Sequence, residues 1–377
     1  MLIVGGGPAG LAAAIALRMQ GADVVVADAL KPPIDKACGE GLMPDARQDL
    51  AALGVTCEAT EGRPFRGIQF KNWTDRTALA VSADFESGEG IGIRRTVLHA
   101  RLTDRARDIG VRLRWKTHVA FGSSVALDGA PYTYRYLVGA DGQSSRVRIW
   151  AGLDRGRLVS KRFGFRRHFR ISPMSNYVEV HWCDLGQVYI TPVGQQEICV
   201  AMVTRYSTVR MQHVIASIPY LREWLKAKDA VTGERGALTT TRRLRRVVKG
   251  NVALIGDASG SVDAVTGEGL AISFRQASLL SRSLQDGSLE NYGAEHEKIL
   301  QIPRRMAYAM LLMDAHSAVR NYAIRTLAHS PNLFRGLLNV HTGNETLPHF
   351  LLQNGAVMLK RCVCLSAQKS DPERAST

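Results

Sequence analysis

At 377 residues, 45% of them hydrophobic, the chain has enough apolar material for two buried cores and the composition of an ordinary globular enzyme. Its 49 Lys and Arg minus 34 Asp and Glu leave +15, a balance that favours anionic partners such as a nucleotide cofactor, nucleic acid or a phospholipid surface, and that a basic solvated exterior satisfies equally well. The lack of any run of 18 apolar residues excludes a membrane-spanning helix, and the lack of a basic leader makes an intracellular, cytoplasmic protein the expectation. Six cysteines (Cys38, Cys57, Cys183, Cys199, Cys362, Cys364) fall without C-x-x-C pairs or histidines at zinc spacing, so they read as reduced thiols and no metal site is expected.

Leu2-Ile3-Val4 breaks into Gly5-Gly6-Gly7-Pro8-Ala9-Gly10 and continues into the Ala- and Leu-rich segment Leu11 to Met19, the pattern of a buried strand, a tight turn and a helix. A second apolar run, Val24 to Ala27, ends in Asp28. Gly5, Gly7 and Gly10 form G-x-G-x-x-G within a βαβ unit, with an acid about 20 residues on, which is the pattern of a dinucleotide site. Gly5 allows the tight turn, Gly7 lacks the Cβ that would hold a pyrophosphate off the backbone, and Gly10 lets the helix pack on the strand. Pro8 and Ala9 open that helix, whose N-terminus faces the phosphates. Asp28 is placed to accept hydrogen bonds from a ribose and would repel a 2′-phosphate.

The Pro- and Gly-dense loop Lys31 to Pro44 then leaves the carboxyl end of a strand, where ligands bind in a doubly wound fold. Cys38, beside Gly39, either faces a cofactor or fills a turn. A helix follows from Asp45 to Leu53. Arg94-Arg95-Thr96-Val97-Leu98 leads into a helix ending at Ile109, and Val111 to Trp115 is a strand. Tyr136 to Ala140 is another apolar strand, ending in Asp141-Gly142 with Ser145 and Arg148 beyond.

From Lys161 to Arg205 the texture changes to period-2 alternation, with Val178, Val180 and Trp182 set against Tyr177, Glu179 and His181. This predicts an antiparallel sheet with one covered face, in a separate substrate-covering domain. Lys161, Arg162, Arg166, Arg167 and Arg170 give it a basic edge, read as a solvated face rather than an anion site. Asn251 to Ile255 returns to a buried strand that ends in Gly256-Asp257-Ala258, and after Gly260 and Gly267-Glu268-Gly269 a helix starts near Leu270. Beyond Gln301 the pattern is helical at Met306 to Met313, Val319 to Leu327, Leu333 to Val340 and Phe350 to Leu359. These helices either cap the substrate domain or rest peripherally on a membrane surface through their basic residues. Ser366 to Thr377 reads as a polar tail.

Taken together, G-x-G-x-x-G, A-D-G-x-x-S-x-V-R (Ala140 to Arg148) and L-I-G-D-A (Leu254 to Ala258), in that order, resemble the FAD-dependent para-hydroxybenzoate hydroxylase superfamily. The resemblance implies that the first motif, with Asp28, holds the ADP part of FAD. It implies further that Arg95 and Asp141 approach FAD, that Gly256 and Asp257 meet its ribityl and pyrophosphate region, and that Gly267, Glu268, Gly269 and Leu270 present backbone N–H groups to the flavin ring. Within the superfamily, Ala37 to Leu42 and Gly256 to Gly260 followed by Thr266 to Leu270 look most like geranylgeranyl reductases.

That likeness implies a small hydrophobic substrate, with Trp182, Tyr189 and Thr191 as candidate pocket residues, Cys38 as a candidate catalytic residue, and NADPH or NADH as possible electron donor. The alternatives are a flavin monooxygenase acting on an aromatic or polyketide-like substrate and, in another class, a basic protein that engages nucleic acid or membrane on a Rossmann scaffold. The expected fold class is α/β: a discontinuous Rossmann-like FAD-binding domain (1–70, 92–160, 245–300), an antiparallel β-sheet substrate domain (71–91, 161–244), a helical C-terminal region (301–365) and the tail (366–377). Nucleic acid is not an expected partner, and the oligomeric state is left open.

Overall fold

A six-stranded sheet grows around the first glycine turn in the computed structural model, which describes residues 1–74, 77–225 and 230–355. Its strands are β1 (Leu2–Val4), β2 (Val25–Asp28), β8 (Arg112–Trp115), β12 (Leu137–Gly139), β18 (Val248–Lys249) and β19 (Val252–Leu254), in the order β18-β19-β12-β1-β2-β8. All neighbours pair in parallel except β18 with β19. Parallel pairing needs crossovers, and burial on both faces explains why Leu2, Ile3, Val138 and Leu254 read as continuous apolar runs.

Helix α1 (Pro8–Met19) starts with Gly7 at its N-cap and Pro8 in its first turn, where the missing N–H costs nothing. It packs against α7 (Gly269–Gln285), where the Ser281 hydroxyl donates to the Ala16 carbonyl at 2.8 Å. Helices α2 (Pro44–Ala52) and α3 (Arg95–Asp108) lie in the same half, and α4 (Arg146–Trp150) follows β12. Two three-stranded sheets edge this half. One orders β3 (Gly41–Leu42), β7 (Gly90–Ile93) and β4 (Gly62–Phe65), and the other orders β11 (Ala130–Pro131), β10 (Val125–Leu127) and β9 (Val119–Phe121).

The second large sheet has seven strands: β17 (Arg235–Leu244), β13 (Gly156–Phe169), β16 (Glu197–Thr204), β15 (Gly186–Gly194), β14 (Tyr177–Cys183), β5 (Gly67–Thr74) and β6 (Thr77–Asp84), in that order. Two expectations are corrected here. The sheet is not wholly antiparallel, because β14 and β5 run parallel, joined by the long excursion through the first half.

Nor is only one of its faces covered. Val178, Val180 and Trp182 pack under the C-terminal helices, while α5 (Met211–Ser217) and α6 (Pro219–Trp224) cover the opposite face. Glu179 and His181, which the alternation placed toward water, are therefore 2% and 0% exposed. Lys71 at 2.7 Å, Ser175 at 2.8 Å and His181 at 2.9 Å satisfy the Glu179 carboxylate and outweigh its burial, holding it at about 2.

The basic edge on β13 is likewise not a solvated face. Arg162 and Arg166 are 3% and 2% exposed, because each guanidinium is paired inside the protein. Arg162 meets Asp263 at 3.2 Å, the Gln187 side chain at 2.6 Å and Asp314 at 3.3 Å. Arg166 meets Asp35 at 2.5 Å and lies 3.8 Å from Glu40. Lys161 and Arg170 do remain exposed.

The helical region begins earlier than its apolar pattern suggested, with α8 (Leu289–Ala315), which carries Pro303 internally, followed by α9 (Ser317–Ala328) and α10 (Pro331–Thr342). Ile324, Leu327, Leu333, Phe334 and Leu338 share a core with Trp182 and Val180, so these helices cap the sheet. A last helical stretch covers 347–355. The rest of the expected segment to Leu359, Cys362, Cys364 and the polar tail lie outside the described residues. Among those described, no helix is long and apolar enough to cross a membrane.

A Cβ at Gly10 would sit 1.9 Å from the Gly5 carbonyl oxygen, with backbone rather than a movable side chain in the way. Gly10→Ala should therefore lower stability by about 2 kcal/mol through overpacking. Chemical denaturation checks this, and an unchanged midpoint would mean that the turn tolerates the methyl.

Candidate active site

The carboxyl ends of β1, β2 and β12 and the underside of the seven-stranded sheet open into one cavity of about 1020 Å³. Its wall starts at Val4, Gly5, Gly7, Pro8, Ala9, Asp28, Arg95 and Asp141 and passes Lys36, Cys38, Gly39, Asp257, Gly267, Gly269 and Leu270. It ends among Phe70, Val180, Tyr189, Thr191, Met310 and Phe334.

The first end is built around open backbone. A Cβ on Gly7 would meet no atom within 4 Å, so the glycine keeps a surface clear rather than relieving a clash. Gly5 has φ +109 and passes the Ala140 carbonyl closely, which requires glycine. His99, 0% exposed, sets its Nε2 2.8 Å from the Gly6 carbonyl oxygen and steadies the turn. Asp28 accepts from the Gly6 N–H at 2.6 Å and the Leu30 N–H at 2.7 Å, which fixes its carboxylate at the cavity wall. The Arg95 Nε is buried and has no hydrogen-bond partner among the described residues. An orphaned buried cation donor, a bare glycine cradle and a helix N-terminus together suit an anionic dinucleotide.

The middle of the cavity is framed by two turns. In Gly256-Asp257-Ala258-Ser259, the Gly256 N–H donates to the Gln276 side chain at 2.7 Å, and His296 Nε2 lies 2.9 Å from both Gln276 and Ser259. Asp257 faces the cavity and pairs with Lys36 at 2.9 Å. In the second turn, Gly267 has φ +73, and neither Gly267 nor Gly269 has an atom within 4 Å of where a Cβ would stand.

Of the residues assigned to cofactor or pocket, four do not line the cavity and one reaches it with its carboxylate already engaged. The Glu268 side chain does not line the cavity; it is 1% exposed on the far side of the turn, with His341 Nδ1 at 3.5 Å. Trp182 is sealed in the core against Phe70 and is not a pocket residue, since its face of β14 lies under α9 and α10. The Asp141 carboxylate reaches the cavity wall but is committed to α4, accepting from Ser145, Arg146 and Val147. Gly10 and Gly256 hold backbone close to its neighbours and do not line the cavity.

Glu40 and its partners were missed. At φ +60 between two glycines, it accepts from the Arg95 backbone N–H at 3.0 Å and lies 2.6 Å from His168 Nε2 on β13. With Cys199 these atoms cluster within 4.8 Å. Burial holds the Cys199 thiol well above its ordinary value, which keeps it protonated, and the Glu40 oxygens are already engaged, so the cluster works as a hydrogen-bonded latch and is a poor cation cage. The odd non-glycine residue inside Gly39-Glu40-Gly41 was the available signal. The other omission, the apolar wall of Met306, Met310, Met313, Leu333, Phe334 and Leu337, lies on helices whose periodicity looked the same as ordinary core.

A family model described as an FAD binding domain matches residues 1–287. The chain belongs to this FAD-binding family. It is 24% identical over 372 residues to a menaquinone reductase of Mycolicibacterium smegmatis, covering 87% of this chain and 90% of that one. It is 26% identical to a geranylgeranyl diphosphate reductase of Synechocystis, covering 75% and 74%. A 171-residue stretch is 33% identical to the 12-dehydrotetracycline 5-monooxygenase/anhydrotetracycline 6-monooxygenase of Streptomyces rimosus, covering 41% and 33%. Among solved structures, a flavoprotein/dehydrogenase from Cytophaga hutchinsonii superposes with a TM-score of 0.75 at 18% identity, covering 91% and 92%, and shows the shared fold. The protein is an FAD-dependent oxidoreductase with an α/β, Rossmann-like FAD-binding fold.

Gly7→Val should fold normally, because the side chain meets open space, yet purify with little flavin. Asp257→Ala should also lose flavin. The ratio of flavin to protein absorbance reads both, and full occupancy in Gly7→Val would displace the cofactor from this turn.

His296 provides a pH test of the second turn. Burial pulls its pKa down from 6.5 to about 4, so the native state binds fewer protons than the unfolded chain between those values. Its contribution is complete above pH 6.5 and is lost as pH falls through 4, on the order of 3 kcal/mol. His296→Gln should flatten the acid limb of stability against pH, and an unaltered limb would place the acid sensitivity elsewhere.

Proposed function

We propose that the protein reduces a carbon–carbon double bond in a long apolar, polyprenyl-type substrate. The observation that carries this reading is the single cavity that joins a glycine-lined, cation-bearing end to an apolar end walled by Met306, Met310, Met313, Leu333, Phe334 and Leu337. Unbranched methionines adapt to an extended flexible chain better than a rigid pocket does. Two of the similar proteins are reductases, of menaquinone and of geranylgeranyl diphosphate.

On this reading Gly5, Gly7, Arg95 and Asp257 hold FAD, which when reduced supplies a hydride equivalent. Tyr189, fixed by its hydroxyl bond to the Val265 carbonyl at 2.8 Å, and Thr191 form the floor where the two ends meet. The Met- and Phe-lined wall excludes water and positions the double bond. Cys38, next to the same junction, shapes the substrate entrance; Cys38→Ser would then alter KM with little loss of flavin. NADPH or NADH is the proposed electron donor.

The tetracycline monooxygenase likeness supports a second reading, hydroxylation of an aromatic or polyketide-like substrate. The two readings separate when the flavin is photoreduced without oxygen and offered polyprenyl and aromatic candidates. Anaerobic reoxidation with a saturated polyprenyl product is the expected result, and Leu337→Gln should slow it at least tenfold by placing an amide in the apolar wall. Reoxidation only on admitting oxygen, with oxygen in the product, would replace the reductase reading with the monooxygenase.

A further inference from the structure

Behind the Gly267–Gly269 turn lies a cluster of charges that the proposed reaction leaves unused. Glu268 occupies the N-cap position of α7, is 1% exposed, and has two carboxylate oxygens without a hydrogen-bond partner among the described residues. Around it are His341 of α10, with Nδ1 at 3.5 Å, Arg275 and Thr266, and Asp45 of α2. Arg275 is engaged by both aspartates, through a close contact with Asp45 and one of 3.3 Å with Asp49. One Asp45 oxygen is also buried and unpartnered.

Two buried carboxyls, Glu268 and Asp45, therefore lie beside one guanidinium that is already engaged by Asp45 and by the partly exposed Asp49. Ionising both would leave a buried negative charge without a cation of its own, which desolvation opposes strongly. At least one carboxyl keeps its proton, and Glu268, the deeper of the two and the one that Arg275 does not bond, is the group that holds it. Burial accordingly pushes its pKa up to about 8 and raises that of Asp45, and it lowers that of His341, leaving the imidazole neutral.

We propose that Glu268, through its place behind the cavity-facing turn, couples the redox state of the bound flavin to uptake of one proton. The proposal rests on FAD occupying the cavity and is independent of which substrate is reduced. Neutral Glu268 leaves the positive end of α7 unopposed, whereas ionised Glu268 would set a like charge behind the turn that receives the negative charge of reduced flavin. A negative charge arriving on the cavity side must therefore raise the proton affinity of Glu268, and by linkage a protonated Glu268 raises the flavin potential. In the step itself, which operates above the pH at which Glu268 ionises, two electrons pass from an external reductant and one proton from solvent goes to the flavin, while a further solvent proton forms an O–H bond on the Glu268 carboxylate. Below that pH Glu268 already holds its proton and only the flavin takes one up. Reoxidation reverses each transfer.

The test measures the flavin midpoint potential of the FAD-loaded protein from pH 6 to 10 in wild type, Glu268→Gln and Asp45→Asn, with dithionite as reductant and redox dyes as reporters. Wild type should show a steeper fall across the pH at which Glu268 ionises, amounting to about a tenfold coupling, or about 30 mV for a two-electron couple. Glu268→Gln should lack that segment. Asp45→Asn removes a neighbouring negative charge and frees Arg275, so the steep segment should move to lower pH; a residue with a packing role alone would not shift it. Parallel curves for wild type and Glu268→Gln, or a segment that Asp45→Asn leaves in place, would overturn the coupling. Failure of wild type to bind FAD in a fluorescence titration would instead overturn the cofactor assignment along with it.

Discussion

The carboxylate of Glu40 joins parts that would otherwise be two separate folds. One oxygen receives the first backbone N–H of α3 and the other meets His168 on the seven-stranded sheet, with Arg166 close by. The groups involved are buried, so removing one partner leaves an unpaired charge or dipole in a dry interior, a loss of about 3 to 5 kcal/mol for a buried ion pair. The glycine turns, the loop from Lys31 to Pro44 and the sheet therefore keep one relative position. That position makes a single cavity out of two surfaces.

Rigidity at the latch permits contrast within the cavity. At the end near β1 and β2, the backbone is bare and Arg95 carries an unmet donor; at the end near α8 and α10, the wall is apolar and the polar groups are turned away or satisfied. Arg162, which could have put a charge into this region, is instead held by Asp263, Gln187 and Asp314. The same contacts join the sheet, the loop after Gly260 and the end of α8, so neutralising the charge and closing the cavity are one arrangement.

Much of the first half could be read from the sequence because its signals are local. Gly5, Gly7, Gly10 and Asp28 lie within one βαβ unit, and the strand periods around Val138 and Leu254 are short and unmixed. What could not be read depends on partners distant in the chain. Glu179 and His181 alternate like a solvated face, but residues 211–224 return to cover them. Trp182 is a pocket candidate only through the reductase likeness; its strand does reach the cavity, but its own position falls under α9 and α10. The arginines of β13 look like a charged rim until Asp35, Asp263 and Asp314 arrive from elsewhere.

Glu268 shows what a place between two glycines does to a side chain. The residues on either side line the cavity with bare backbone, and in an extended or turn segment successive side chains cannot all share one side. If Gly267 and Gly269 face the cavity, the side chain between them must face the protein, where α2 and α10 already bring Asp45 and His341. A carboxyl forced into that space either finds a cation or keeps its proton, and Arg275 is already taken. The same turn that opens toward the cavity at Gly267 and Gly269 thus buries the acid between them.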